Sequence, residues 1–424
     1  MGIEESGEQA RRTAEEVARR SYGKLVAFLV ARTRDVAAAE DALSEAFAAA
    51  LSEWPRAGCP AIPEAWLLTV ARRKIIDVER GRRRHELASA TLQAMGESLN
   101  VAVSGAEIPD QRLALMFACA HPAIDEKIHA PLMLQVVMGL DAKAIASAFL
   151  MSPAAMGKRL VRAKEKIREA GIPFRVPERE ELTGRLCAVL SAIYAAFTEG
   201  WSDPVGIDAA RRDLTEEALF LGRLMAELLP AEPETLGLLA VMLYTEARRR
   251  ARRTHSGEYV PLAGQDTALW DGPMIEEAEG LLRRASALSS IGRYQLEGAL
   301  QSAHIHRCRS GQPNWPEVVQ LYDALLALAG SPVVAVNRAL AIAEMRDAHA
   351  GLEAMSRIGD DSRLAEYQPY WAARAELLAR TGAHNEARSA YDVAIGLERD
   401  PAVRLFLQTR QAALPALLQI DPPY

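Results

Sequence analysis

Between Val17 and Thr33, the residues Tyr22, Leu25, Val26 and Leu29 recur at three- and four-residue spacing, which predicts a helix. A second stretch, Val36–Trp54, follows Asp35 as its N-cap and sets Leu43, Phe47 and Leu51 on one stripe. The segment WPRAGCPAIP (54–63) is expected to be a loop, because its three prolines oppose a continuous helix. A third helix follows Pro63, with Trp66, Leu67, Val70, Ile75 and Val78 as its buried side. Residues 87–108 are small and polar with little periodicity, and most of them read as a linker.

A second compact unit then runs from Ile108 to Gly171 and ends in two short helices joined by a tight turn. The first, 141–150, has Asp141 to cap it. The turn Met151-Ser152-Pro153 supplies serine as N-cap and proline at the first helical position of the second, which stops at Gly171. Ile145, Ala146, Phe149, Met156 and Leu160 suit the inner face of a helix-turn-helix.

The stiff connector IPFRVP (172–177) is followed by amphipathic helical stretches alternating with Gly/Pro breaks. Trp371, Ala375, Leu378, Gly382, Ala387, Tyr391 and Ala394 fall at the spacing of a tetratricopeptide unit. Ala335, Ala339, Ile342, Gly351 and Met355 form a degenerate second match, and Val318, Tyr322 and Leu325 a weaker third. An irregular helical solenoid is the architecture these positions predict.

Composition narrows the picture without changing it. The chain has 424 residues, 50% hydrophobic, 25% charged and only 6% aromatic, which fits two or three packed helical domains and suits a β-sandwich poorly. Charge divides it: residues 1–174 carry 24 Lys and Arg against 22 Asp and Glu, all seven lysines precede residue 167, and the remainder is acidic. A domain boundary near residue 172 follows. No apolar run approaches the ~20 residues needed to cross a bilayer. The four cysteines, Cys59, Cys119, Cys187 and Cys308, lie far apart without a CxxC pair, so neither a disulfide framework nor a zinc site is expected. The protein is expected to be cytoplasmic, reduced, without a membrane partner, and to need neither metal nor cofactor.

Motifs of bond chemistry are absent: there is no GxxxxGK[ST] loop, HExxH pair, GxSxG elbow or GxGxxG fingerprint. His304 and His306 bracket one residue of a helical stretch and would chelate poorly, so they read as core-edge or solvent residues. Asp360 and Asp361 beside Gly359 read as turn residues. Nothing argues for an enzyme. Two basic helices do stand out. Residues 71–86 and 156–170 each carry a local charge of +4. Such a run alone is often a solvated face. The second, however, is the recognition helix of the helix-turn-helix pattern, whose first half would enter a major groove while flanking Arg and Lys hold phosphates.

Residues 11–171 resemble the extracytoplasmic-function (group IV) sigma factors of bacterial RNA polymerase. DVAAAEDALSEAF (35–47) is similar to their region 2.2 signature, with Ser44 in place of the usual Gln. EAWLLTVARRKIIDVERGRRR (64–84) resembles the region 2.3–2.4 helix, and LDAKAIASAFLMSPAAMGKRLVRAKEKIRE (140–169) resembles region 4.2. YAAFTEGW, QDTALWDG, GRYQLEGAL and NWPEVVQLYD are similar to motifs of the subfamily with a C-terminal tetratricopeptide-like domain. Thr198 stands where Asn is expected and Trp201 where Tyr is usual.

The resemblance implies a division of labour. Asp35, Glu40, Asp41, Glu45 and Phe47 would dock on the β′ clamp helices of core RNA polymerase, with the β flap as a second contact; the alternative is that Phe47 is core and the acids are surface charges. The loop 54–63 and the helix after it would capture a flipped base of melted minus-10 DNA, with Arg56, Arg72, Arg73, Lys74 and Arg80 along the strand. Trp54 and Trp66 would either stack bases or serve as buried anchors. Ser152, Ala155, Lys158 and Arg159 would lie nearest the minus-35 bases, and Arg162 and Lys164 nearest phosphates.

An all-α chain is thus expected: a region 2 domain over 11–86, a linker over 87–108, a region 4 domain over 109–171 and a helical domain over 175–424 that regulates them through a protein or peptide partner. The alternatives are a helix-turn-helix regulator with a peptide-sensing repeat domain that never joins polymerase, and a repeat scaffold with an incidental basic face.

Overall fold

The computed structural model describes residues 3–83, 110–149, 151–201, 209–359 and 361–415. Among them the fold is all-helical, with no strand and a single isolated β-bridge between Arg253 and Tyr259. The linker expected over 87–108 lies outside the described residues. The chain divides into two compact units, 1–201 with 209–221, and 202–208 with 222–424.

The N-terminal unit opens with three helices, α1 (Ile3–Thr33), α2 (Val36–Ala57) and α3 (Pro63–Arg83), packed on one another around Leu25, Phe28, Leu29, Leu43, Trp54 and Leu67. Helix α1 begins well before Val17, because Ala10 and Ala14 extend its buried stripe with side chains too small to mark a hydrophobic pattern. Asp35 caps α2 by accepting a hydrogen bond from the Ala38 amide at 3.0 Å. The loop expected over 54–63 is shorter than its prolines suggested. Helix α2 runs through Pro55 to Ala57 and closes at Gly58, whose φ is +85° and whose amide donates to the Trp54 carbonyl. A proline so near the helix end removes only one backbone bond, and burial of Trp54 holds the last turn in register.

The apolar stripes also differ from expectation. Helix α2 buries mainly alanines, Ala39, Ala42, Ala46 and Ala50, with Leu43 and Trp54, while Phe47 is half-buried and Leu51 exposed. On α3 the inner face is Leu67, Leu68, Ala71 and Ile75, Val78 is exposed, and Trp66 and Val70 are half-buried. Alanine faces let helices approach closely, so the register follows close packing rather than the largest side chains.

Four further helices follow: α4 (Arg112–Cys119), α5 (Glu126–Val136), α6 (Ala142–Ala148) and α7 (Pro153–Glu169). Asp141 accepts from the Ala144 amide at 2.7 Å and Ser152 from the Ala155 amide at 3.2 Å, so each cap falls on the expected residue. Ile145, Ala146, Met156, Leu160, Ala163 and Ile167 are buried between α6, α7 and their neighbours, and Phe149 is half-buried. These helices pack directly on α1–α3. A Cβ built on Gly23 of α1 would sit 2.0 Å from the Val137 carbonyl oxygen at the end of α5, a distance no side chain tolerates. Helix α8 (Arg179–Trp201) packs on α4 and α5, and the Arg185 guanidinium donates to the Phe117 carbonyl at 2.5 Å.

Helix α9 (Ala209–Leu228) enters the second unit, which continues through α10 (Pro233–Ala247), α11 (Gly272–Ser286), α12 (Arg293–Ser310), α13 (Trp315–Ala329), α14 (Pro332–Met345), α15 (Ala348–Ser356), α16 (Gln368–Arg380), α17 (His384–Leu397) and α18 (Pro401–Ala412). From α12 onward each helix packs on the next. Glu234 of α10 caps α12 from outside, accepting from the Tyr294 and Gln295 amides at 3.1 and 3.2 Å. Ala375, Ala387, Tyr391 and Ala394 are buried between α16, α17 and α18, and Trp371 and Leu378 are half-buried.

Candidate nucleic-acid and protein interface

The two basic helices are placed differently. On α3, Arg73 and Lys74 are exposed and Arg72 is half-buried; Arg80 lies in the helix, but its side chain is outside the description. Lys74 reaches the Glu45 carboxylate of α2 at 2.6 Å, with both side chains about half exposed, and that carboxylate is the main cause holding the Lys74 ammonium above its ordinary range. Arg56 is exposed in the last turn of α2. Trp54 is buried and meets Trp66 edge-on at 5.5 Å, and Trp66 is half-buried.

On α7, Ser152, Lys158, Arg159 and Arg162 are exposed and Ala155 is half-buried, so the first half presents a basic face to solvent. The second half is engaged. Lys164 pairs with Glu40 of α2 at 2.5 Å, with side chains only 12% and 11% exposed. Arg168 lies 3.6 Å from Asp35, the cap of the same helix. Burial pushes the Glu40 carboxyl above the usual carboxylate range, opposed by Lys164 and reinforced by Asp41. Buried carboxylate and ammonium groups persist only when paired, which is why these two side chains fix α7 against α2.

Of the five residues expected to meet polymerase, Asp41 and Glu45 are exposed, Phe47 and Asp35 are half-buried, and Glu40 is buried. Asp35, Asp41 and Glu45 line a cleft of about 530 Å³ together with Lys74 and Arg168. The contact of Lys164 with Glu40 and the close approach at Gly23 escaped the sequence reading. An isolated glycine inside a helical pattern is the signal that pointed to the second.

Elsewhere the candidate chemistry is structural. His304 meets Trp315 edge-on and lies 3.0 Å from the Arg307 guanidinium; burial, then Arg307 and Arg248, pulls its pKa down to about 4. His306 is exposed. Asp361 caps a short turn, accepting from the Arg363 amide, whereas Asp360 lies outside the described residues. Among the described residues no cluster of His, Cys, Asp and Glu could hold a metal ion, and no helix is long and apolar enough to cross a membrane.

Residues 17–85, which cover the second half of α1 and all of α2 and α3, match sigma-70 region 2. A stretch of 161 residues is 31% identical to a protein of Xanthomonas campestris pv. campestris named as a probable RNA polymerase sigma factor, RfaY, covering 35% of this chain and 40% of that protein. The chain is a sigma-70 family member. Sigma factors serve transcription initiation and carry out no bond chemistry of their own, so this sigma-70 protein is not an enzyme. It is also 38% identical over 380 residues to an uncharacterized protein of Rhizobium meliloti, covering 88% of this chain and 89% of that one, and so shares a family with it over nearly its whole length. Residues 185–286, from α8 to α11, match a family of unknown function, DUF6596. No solved structure matches the chain significantly.

Proposed function

We propose that the chain is an extracytoplasmic-function sigma factor that joins core RNA polymerase in the cytoplasm and directs it to promoters whose minus-35 and minus-10 elements it reads. The observation that carries this reading is the region 2 match across α1–α3, the helices that bear Asp35, Asp41, Glu45 and the basic face of α3. The exposed first half of α7, behind a Ser152 cap, supports assigning α6 and α7 as the helix-turn-helix for the minus-35 element. The domain limits 11–86, 109–171 and 175–424 belong to the same reading, as do docking on the β′ clamp helices and the β flap, and the tetratricopeptide-like nature of the helical C-terminal region. The acidic balance of that region favours a protein or peptide partner over DNA, and we assign it a regulatory role.

Run-off transcription tests the reading. Core polymerase with the purified full-length chain, on fragments of its own genome, should yield discrete transcripts absent without it. No transcript together with no complex between chain and polymerase would overturn the proposal. Regulation by the C-terminal region fails if removing residues 222–424 changes neither transcript yield nor affinity for polymerase.

A further inference from the structure

We propose that Arg248, at the end of α10, and Arg307, on α12, form a binding site for a phosphate group within the second unit. The inference is independent of the sigma-factor reading and gives the helical C-terminal region a ligand class. A guanidinium stays charged at every pH a protein meets, so a covered one calls for an anion nearby. Two arginines of the run that follows Arg248 have theirs: Arg249 pairs with Glu246 at 2.7 Å, and Arg253 pairs with Asp400. Arg248 and Arg307 are half-buried as well, yet among the described residues they meet only neutral acceptors. Arg248 donates to the Tyr244 carbonyl at 3.2 Å and to the Gln301 amide oxygen at 2.8 Å. Arg307 donates to His304 Nδ1 at 3.0 Å and lies 3.9 Å over the Trp315 ring. Glu297, which neighbours Tyr322 as Arg307 does, is taken up by Arg293 at 2.7 Å.

Both guanidiniums converge on one stretch of α12. Gln301 and His304 stand one turn apart, where Cβ atoms are about 5–6 Å from each other, so the two arginines occupy adjacent positions. His304 feels both: burial first, then Arg307 and Arg248, pulls its pKa down to about 4. It is therefore neutral near pH 7, and because a guanidinium only donates, its Nδ1 accepts. Positive charge continues beyond the pair, since Arg252 stands in the field of Arg253, Arg249 and Arg248. Arg248 spends two of its five N–H groups and Arg307 one, which leaves each a fork of donors for oxygen atoms. A phosphate dianion matches this arrangement, with two charges for two guanidiniums and oxygens enough for bidentate contact. A carboxylate would neutralise only one. Stacking on Trp315 holds the plane of Arg307, so little freedom is lost on binding.

Titration calorimetry of the full-length chain at fixed ionic strength tests the site. The probes are inorganic phosphate and phenyl phosphate, with acetate as the monoanion control. We expect saturable binding of phosphate, none of acetate, and a thermal midpoint that rises with phosphate. Phenyl phosphate binding at least as tightly as inorganic phosphate assigns the site to an ester, whereas binding of inorganic phosphate alone assigns it to the free ion. Arg248→Gln and Arg307→Gln should each weaken binding at least tenfold. Arg284→Gln makes the same charge change at an exposed position of α11 and should leave it unaltered. In chloride the two site variants should melt no lower than the wild type, because each removes a positive charge that its neutral acceptors leave unbalanced. The site is overturned if phosphate neither binds the wild type nor shifts its midpoint, or if Arg284→Gln weakens binding as much as Arg307→Gln. Site variants that melt lower in chloride yet bind phosphate like the wild type overturn it too, and leave both arginines a structural role.

Discussion

The basic stretches 71–86 and 156–170 carry the same net charge in sequence, and the helices that bear them, α3 and α7, each reach an acidic residue of α2, yet the two contacts are not equivalent. Lys74–Glu45 and Lys164–Glu40 differ by only 0.1 Å in length, at 2.6 and 2.5 Å. The first pair is about half exposed, whereas the second is almost covered. Distance therefore does not rank ion pairs. Solvent screens the exposed pair and side-chain entropy opposes it, so it contributes little; in the buried pair each ion depends on its partner. Helix α3 can exchange Glu45 for another anion freely, while the second half of α7 is tied to its place.

The sharpest way to break this comparison is to remove each lysine in turn. Lys164→Ala strands the Glu40 carboxylate away from water, and losing one member of a buried pair costs about 3–5 kcal/mol. Hydrogen exchange would report this as amide protection along α7 and the first half of α2 falling at least ~100-fold. Lys74→Ala should leave protection of both helices unchanged. Equal effects from the two substitutions would mean that burial does not distinguish the pairs.

Substitution at the two ends of α7 sharpens the contrast further. Arg159→Ala removes an exposed side chain from the half assigned to base reading and should cost ~1–3 kcal/mol of promoter affinity, relaxing specificity at one position. Arg159 has the Met151 sulfur as its hydrogen-bond acceptor within the chain, so the thermal midpoint should not move. Affinity would be measured by fluorescence anisotropy on promoter duplexes, and the midpoint by calorimetry.

What was legible in the sequence follows from the range of each interaction. Asp35, Asp141 and Ser152 cap helices through amides three residues on, and a cap residue before a periodic run announces such a contact. The basic face of α7 was legible because charge and helical period lie in one short stretch. The pairing of Glu40 with Lys164 was not: it joins helices far apart in the chain, and nothing local distinguishes Lys164 from Lys158. The stripe of α3 was misjudged at Val78 because hydrophobicity alone cannot tell a buried apolar position from an exposed one. Pro55 was misread for a related reason, since a helix end accepts proline where a buried neighbour, here Trp54, holds the turn.

A pH series tests the buried carboxylate. Glu40 is raised above its ordinary range by burial, and the charged groups facing it are Lys164 and Asp41, with the Tyr22 hydroxyl and the Cys119 thiol also near. Its protonated form is favoured in the packed state. The stability it contributes is therefore complete below the unfolded carboxylate value of about 4.3 and is lost as pH rises through the raised value. Denaturant midpoints measured between pH 4 and pH 7 should show that loss in the wild type relative to Glu40→Gln, which has no proton to release.

The smallest effect concerns salt. Each phosphate contact contributes about 0.9 to the slope of log affinity against log salt. Arg162 is exposed and assigned to a phosphate, so Arg162→Ala should lower that slope by about 1 with or without core polymerase. Lys164 contributes only after it leaves Glu40. Lys164→Ala should therefore not lower the slope for the free chain, where Lys164 is held by Glu40, and should lower it by about 1 only if Lys164 leaves Glu40 in the polymerase-bound protein. Titrations of promoter duplex at four salt concentrations, with and without core polymerase, would separate the two lysine states. An identical slope change from Lys164→Ala in both series would place Lys164 on DNA from the outset and remove the distinction between the halves of α7.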